Sequence, residues 1–258
     1  MEFIDTHAHL YLDRFESDIE EVIKNAIDSG VSKMLLPNID SSTIRAMNQL
    51  SQKFPHNCFP MIGLHPSDVK ENFREELDIV KNEATSGKYI AIGEIGIDLY
   101  WDKTFLKEQQ EAFAFQIELA KSLKLPIAVH ARDSFDEIFE VLDQHNDDQL
   151  TGVLHCFTGN LQQAERIINY GGFKLGIGGV VTFKNGGLDK VIPHVDMDHL
   201  ILETDAPFLA PTPYRGKRNE SQYIPIIADK IASLKGMKIE EVAEITTQNA
   251  LELFSRVS

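Results

Sequence analysis

The sequence is short of cysteine, of basic charge and of long apolar runs, and each shortage excludes something. Two cysteines, Cys58 and Cys156, cannot form a disulfide framework, and neither belongs to a Cys-x-x-Cys pair, so a reducing cytoplasm is expected. No apolar run approaches the ~20 residues that cross a bilayer, and the start, Met-Glu-Phe-Ile-Asp-Thr-His, has no basic stretch leading into an apolar one. The expectation is therefore no membrane partner and no signal peptide. Lys and Arg number 25 against 40 Asp and Glu, giving a formal charge of −15. That balance argues against broad tracking of nucleic-acid phosphates, which needs basic surfaces, but leaves room for a local grip on one or two phosphates. No Pro/Gly/Ser linker and no sequence repeat divides the chain. No obligate protein partner is implied.

What is present is an alternation. Eight β-rich runs, at 2–7, 33–37, 58–63, 89–94, 126–130, 152–155, 173–176 and 199–203, are separated by amphipathic segments. Several runs are almost wholly apolar, as strands covered on both faces are. Ile19, Val22, Ile23, Ala26 and Ile27 fall on one helical stripe, and Phe105, Ala112, Phe113, Gln116, Leu119 and Leu123 on another. Ser17-x-x-Glu20 and Ser134-x-x-Glu137 have the capping-box spacing, and helices are expected near 220–234 and 239–254. Eight strands alternating with helices in 258 residues predict an α/β fold, one (β/α)8 barrel domain over 1–258. A doubly wound open sheet would carry a Gly-rich turn after strand one, where this chain has His7-Ala8-His9.

Barrel enzymes place their chemistry at the C-terminal ends of strands. Here those ends carry His7 and His9, His65, Glu94, His130, His155, and then Glu203 and Asp205. His7 and His9, two apart in an extended segment, point to one side and can share a cation. Glu94 ends an apolar run, where an unpaired carboxylate is costly; it is either in a salt bridge or, with its two oxygens, a bridge between cations. Alone, His130 and His155 read as core histidines and Asp205 as a turn or cap residue. Together, His7, His9, Glu94, His130, His155 and Asp205 would meet at one mouth, a nitrogen and oxygen set suited to two divalent ions sharing Glu94. Arg215, Lys217 and Arg218 form the clearest basic cluster, and Tyr100 and Trp101 stand either to stack on a base or to cover the mouth. His56, His145, His194 and His199 are left as structural or surface residues.

In order and spacing these residues resemble the TatD family of metal-dependent deoxyribonucleases, within the amidohydrolase-like barrels. The resemblance runs through Phe3-Ile4-Asp5-Thr6-His7-Ala8-His9-Leu10, Gly63-Leu64-His65-Pro66, Ile92-Gly93-Glu94-Ile95-Gly96-Ile97-Asp98, His130-Ala131-Arg132-Asp133, His155-Cys156-Phe157-Thr158-Gly159, Glu203-Thr204-Asp205-Ala206-Pro207-Phe208-Leu209, Arg218-Asn219-Glu220 and Asn249-Ala250-Leu251-Glu252-Leu253-Phe254. It implies His7, His9 and Asp205 on one metal, His130 and His155 on a second, and Glu94 bridging. The expected function is hydrolysis of DNA phosphodiesters at a dinuclear site by a metal-activated water, as an exonuclease on single-stranded ends. Asp205 would be the general base, Glu203 an orienting residue or alternate base, and Glu94 the catalytic bridge. His65, Arg132 and Arg218 would contact substrate phosphate. Two divalent ions are implied: Mg2+, Mn2+ or Zn2+. The rival expectation is a deacylase or amidohydrolase cleaving an ester or amide; those relatives often bridge their metals with a carboxylated lysine, and no lysine ends strand four here.

Overall fold

A computed structural model describes residues 1–257. All strand pairings are parallel, in the order β1 (Phe3–Asp5), β2 (Val31–Leu36), β3 (Cys58–Pro60), then β4 (Ile92–Asp98), β5 (Ile127–Arg132), β6 (Gly152–Leu154), β7 (Phe173–Ile177) and β8 (Leu200–Leu202). Backbone hydrogen bonds join the two runs of strands into one ring. Ile90, Ile62 and Gly93 link the β3 and β4 flanks, and Thr6 N–H donates to Leu202 C=O. Single parallel bridges at Ile62–Ile92 and Ala8–Ala206 mark the two seams. The result is the expected (β/α)8 barrel.

Helices α1 (Ile19–Asp28), α2 (Ile44–Lys53), α3 (Phe73–Ala84), α4 (Leu106–Leu123), α5 (Phe135–His145) and α6 (Leu161–Asn169) each follow a strand. The alternation breaks once. Between β7 and β8 the chain makes only short 3-10 turns, in a stretch that holds Gly178, Gly179, Gly186, Gly187 and Pro193. After β8 come α7 (Ile224–Lys235) and α8 (Ile239–Leu253).

Two apolar layers result. One lies between strands and helices. The other fills the barrel interior with Ile4, Leu35, Met61, Ala91, Ala128, Val153 and Ile201, each from a strand or its flank, and Phe254 and Val257 close it. The interior is thus packed, and only the opposite, C-terminal rim is left for polar side chains.

Several expectations need correction. Strand four runs to Asp98, so Glu94 lies inside β4 and not at its end; likewise His130 lies inside β5, which runs to Arg132. Neither serine forms a capping box. Asp18, not Ser17, precedes α1, and Ser134 spends its hydroxyl on the Ile97 carbonyl at 2.6 Å. A side-chain capping box forms instead at α6, between Asn160 and Gln163. Ile27, assigned to the buried stripe of α1, is 45% exposed, because Val22, Ile23 and Ala26 already fill the contact.

Candidate metal centre

The backbone brings the first and last site segments together. Beyond β1, His9 N–H donates to the Ala206 carbonyl (2.7 Å), and Asp205 N–H donates to the His7 carbonyl (2.8 Å). Underneath, the Asp5 carboxylate accepts from the Thr204 N–H (2.9 Å) and hydroxyl (2.6 Å), and Asn219 donates to the Thr204 and Phe208 carbonyls. Burial pushes the Asp5 carboxyl up to about 7. Asp205 sits in the left-handed region at φ 58°, as does Cys156 at φ 46°, a conformation uncommon outside glycine. The network from Asp5 through Thr204 and Asn219 holds that turn.

Glu94 is the hub. It is 2% exposed. Its Oε2 lies 3.1 Å from His7 Nε2 and 3.3 Å from His9 Nε2; its Oε1 lies 2.7 Å from His130 Nδ1, 3.0 Å from His155 Nε2 and 3.3 Å from His65 Nε2. Asp205 Oδ1 lies 3.6 Å from His9 and 4.0 Å from His7. All six proposed ligands therefore converge, and His65 joins them. Burial alone would raise the Glu94 carboxyl, but positive charge on His155, His65 and His7 holds it well below the usual carboxylate range. Burial opposes charge on His155 too, yet Glu94 and Glu203 hold that imidazole well above its usual range. His7, stacked on it at 3.7 Å, is pushed well below by burial and by His155. Of the stacked pair, His155 is thus the ring that holds positive charge more readily.

Outer partners set which nitrogen faces inward. The Tyr11 hydroxyl donates to the Pro37 carbonyl (2.6 Å), so toward His9 Nδ1 (3.0 Å) it accepts, and the His9 Nε2 lone pair faces Glu94. Asp98 Oδ2 meets His130 Nε2 at 2.9 Å, leaving His130 Nδ1 to the centre. Glu203 lies 3.3 Å from His155 Nδ1 and accepts the Cys156 backbone N–H. Gly176 makes room for it, since a Cβ there would stand 2.2 Å from Glu203 Oε2. His65 is the opposite case. Its Nδ1 accepts from Ser67 N–H (3.1 Å), so its inward Nε2 carries the hydrogen and donates. Its geometry suits an anion contact better than metal ligation.

Sequence reasoning did not single out Asp98, Asp5, Thr204, Asn219, Gln109 or Gln116 for function. Gln116 was read as part of an apolar stripe; it is buried and pairs with both backbone groups of Leu64, beside His65. Gln109 does the same for Asp98. A buried amide at helical spacing within an apolar stripe was the available signal. Asp98→Asn and Glu203→Gln should each weaken metal binding about 10- to 100-fold, the usual cost of losing a carboxylate behind a ligating histidine. Calorimetric metal titration measures this; affinities equal to wild type would contradict it.

Arg132 stays at the mouth, over the Tyr100 ring at 3.7 Å, with no ion pair to Asp133. Arg218 has a different task from the one expected. Its guanidinium is taken by Asp18 (2.6 and 2.9 Å), Glu220 (2.8 Å) and the Arg14 carbonyl, tying α1 to the segment before α7. The cations lining the cavity are instead Arg14, Arg132, Arg215 and Lys217. Arg218→Ala should therefore cost stability, at most about 1 kcal/mol for so exposed a pair, or roughly 2–4 °C in Tm. The hydrogen bond from Arg218 lowers the Asp18 carboxyl below its ordinary 3.8. Such a group stabilises above its unfolded pKa and loses that effect as pH falls through the folded value. The Tm difference between wild type and variant should thus shrink below about pH 4; a difference that grows there would contradict the pairing.

The cavity above Glu94 has a volume near 840 Å³. Among the described residues, three groups of side chains at or beneath its floor have metal-ligand spacing: His7, His9 and Glu94; His7, His155 and Glu203; and His65, Glu94 and His130. No helix is long and apolar enough to cross a membrane, among the described residues.

Comparison with known proteins agrees with the site. Residues 4–255 match the model of the TatD related DNase family. The chain is 40% identical to the metal-dependent hydrolase YabD of Bacillus subtilis strain 168, over 97% of this chain and 98% of the relative. It is 32% identical to the 3'-5' ssDNA/RNA exonuclease TatD of Pectobacterium parmentieri, over 97% and 98%. Among solved structures, the TatD homologue YjjV of Escherichia coli K12 superposes with a TM-score of 0.92 at 30% identity, covering 98% of each chain.

Proposed function

Because the chain belongs to the TatD related DNase family of metal-dependent hydrolases, we propose that it hydrolyses phosphodiester bonds of DNA from single-stranded ends, at a site for two divalent cations. The observation that carries this reading is Glu94: one buried carboxylate with both oxygens within 3.3 Å of five imidazoles. The donor set fits cations. Nitrogen and carboxylate oxygen suit divalent first-row metals. His9 and His130 turn lone pairs inward. His7, His9 and Asp205 would hold one ion, His130 and His155 the other, and Glu94 would lie between.

Such ions supply an activated water near neutral pH and stabilise charge on phosphoryl oxygens. The remaining work falls to side chains. Asp205 takes the proton of the attacking water; burial pushes its carboxyl up to about 6, within range of a base working near neutrality. Glu203 and Asp98 fix the rings of His155 and His130. His65 Nε2–H and Arg132 donate to the phosphate. The relative named a 3'-5' ssDNA/RNA exonuclease supports the nucleic-acid substrate.

Metal ligands bind as deprotonated groups. Metal affinity should therefore rise with pH through about 6, as Asp205 loses its proton. Titration between pH 5 and 8 checks this, and a flat profile would count against Asp205 as a ligand. The functional test is incubation with single-stranded DNA, and separately with carboxylic ester and amide substrates, after loading with Mg2+, Mn2+ or Zn2+. DNA shortened from its ends is expected. Intact DNA with every ion, alongside ester or amide turnover, would overturn the proposal.

A further inference from the structure

Among the described residues seven large apolar side chains are strongly exposed, and four of them, Tyr100, Trp101, Phe208 and Leu209, lie on two segments of the mouth. Trp101 is 77% exposed and Phe208 43%. Isolated exposed apolar residues need no account, but a concentration at one opening marks a contact surface. The two segments follow β4 and β8, which stand opposite each other in the ring of eight. Trp101 and Phe208 both line the cavity above Glu94.

Each is backed by a cation. Arg132 Cζ lies 3.7 Å from the Tyr100 ring centroid and 5.7 Å from that of Trp101. Arg14 Cζ lies 5.7 Å from that of Phe208. Both arginines line the same cavity. Among the described residues neither guanidinium enters an ion pair, unlike that of Arg218. A flat ring beside an unpaired guanidinium, repeated on two sides of a phosphodiesterase mouth, matches what single strands require: a stacking face for the base and a positive group for the phosphate. In a chain of charge −15, the grip is local.

We infer that Trp101 and Phe208 stack on unpaired bases of the substrate beside the scissile phosphate, with Arg14 holding a neighbouring phosphate while Arg132 meets the scissile one. The inference rests on the phosphodiester reading above and names the residues that select for single strands. A base already stacked in a duplex offers no free face to either ring, so selection follows from stacking alone.

Trp101 is the only tryptophan, so intrinsic fluorescence reports this ring. Metal-loaded protein is titrated with a hydrolysis-resistant phosphorothioate thymidine octamer and with its abasic counterpart. Quenching or a spectral shift is expected with the first and not the second; equal responses overturn the clamp. In turnover, wild type should prefer the ordinary thymidine octamer to the abasic one in kcat/KM by roughly 5- to 150-fold per stacked base. Trp101→Ala and Phe208→Ala should bring that ratio toward one, chiefly through KM, and Trp101→Phe and Phe208→Tyr should restore it. A ratio unmoved in both alanine variants overturns the clamp. Cleavage of neither octamer with any of the three ions overturns the phosphodiester reading itself, and the fluorescence comparison then decides base binding separately.

Discussion

Replacing Glu94 by alanine is expected to abolish paired metal binding and to lower kcat/KM by a factor of about 10⁴ or more. The magnitude follows from what the site would lose. Proton transfer from a positioned water contributes roughly 10²–10⁴ and preorganised stabilisation of developing charge another 10²–10³. On the proposed reading both would depend on cations held at the one carboxylate that meets five imidazoles. The same substitution has a thermodynamic signature. A metal that binds only the folded chain stabilises it by about 2.7 kcal/mol at a hundredfold excess over Kd. For a chain of this size that is roughly 5–10 °C in Tm, at roughly 2–4 °C per kcal/mol. Wild type should show the rise, and Glu94→Ala should show little of it. Equal metal content and equal rise in the two proteins would remove Glu94 from the centre.

Asp205→Asn carries the second large effect. Asparagine keeps the shape and the left-handed backbone, which Asn tolerates, but cannot take a proton. A loss of about 10²–10⁴ in kcat is expected, with KM changed far less. The acidic limb of the kcat profile should be lost or displaced. If Asp205 were only a ligand, metal affinity would fall in step with kcat and saturating metal would restore the rate. Saturating metal that fully restores kcat would therefore contradict the base assignment.

The legible part of this candidate site was its side-chain types. Five histidines and three carboxylates in or just beyond successive β-runs announce themselves in sequence, because barrel chemistry needs those side chains and the C-terminal halves of the strands deliver them. The register was less legible. Glu94 reads as a strand end only because Ile95 to Ile97 alternate with glycine; in the structure Gly96 lets β4 pass so close to β5 that a Cβ would meet the His130 carbonyl at 2.1 Å. The strand therefore continues to Asp98, whose carboxylate then reaches His130. Supporting residues were illegible for a different reason. Asp5 acts on Thr204, 199 positions away, and nothing local marks it; Gln109 and Gln116 carry only the weak signal of an amide at helical spacing among apolar residues, which does not say which backbone groups they meet. Arg218 belonged to a basic run, and its nearby acid, Asp18, is 200 positions away.

The missing helix between β7 and β8 has a local cause. That stretch holds Gly178, Gly179, Gly186, Gly187 and Pro193, which favour tight turns over a continued helix. The strands on either side kept their pattern, so the barrel was readable although one of its helices was absent.

The most direct test is a crystal of the wild-type chain soaked in Mn2+, with anomalous scattering recorded. Two peaks are expected, one on each side of the Glu94 carboxylate, the first within ligand distance of His7, His9 and Asp205 and the second of His130 and His155. Anomalous density absent from Glu94, or confined to other carboxylates while the protein remains active, would contradict the account at its base.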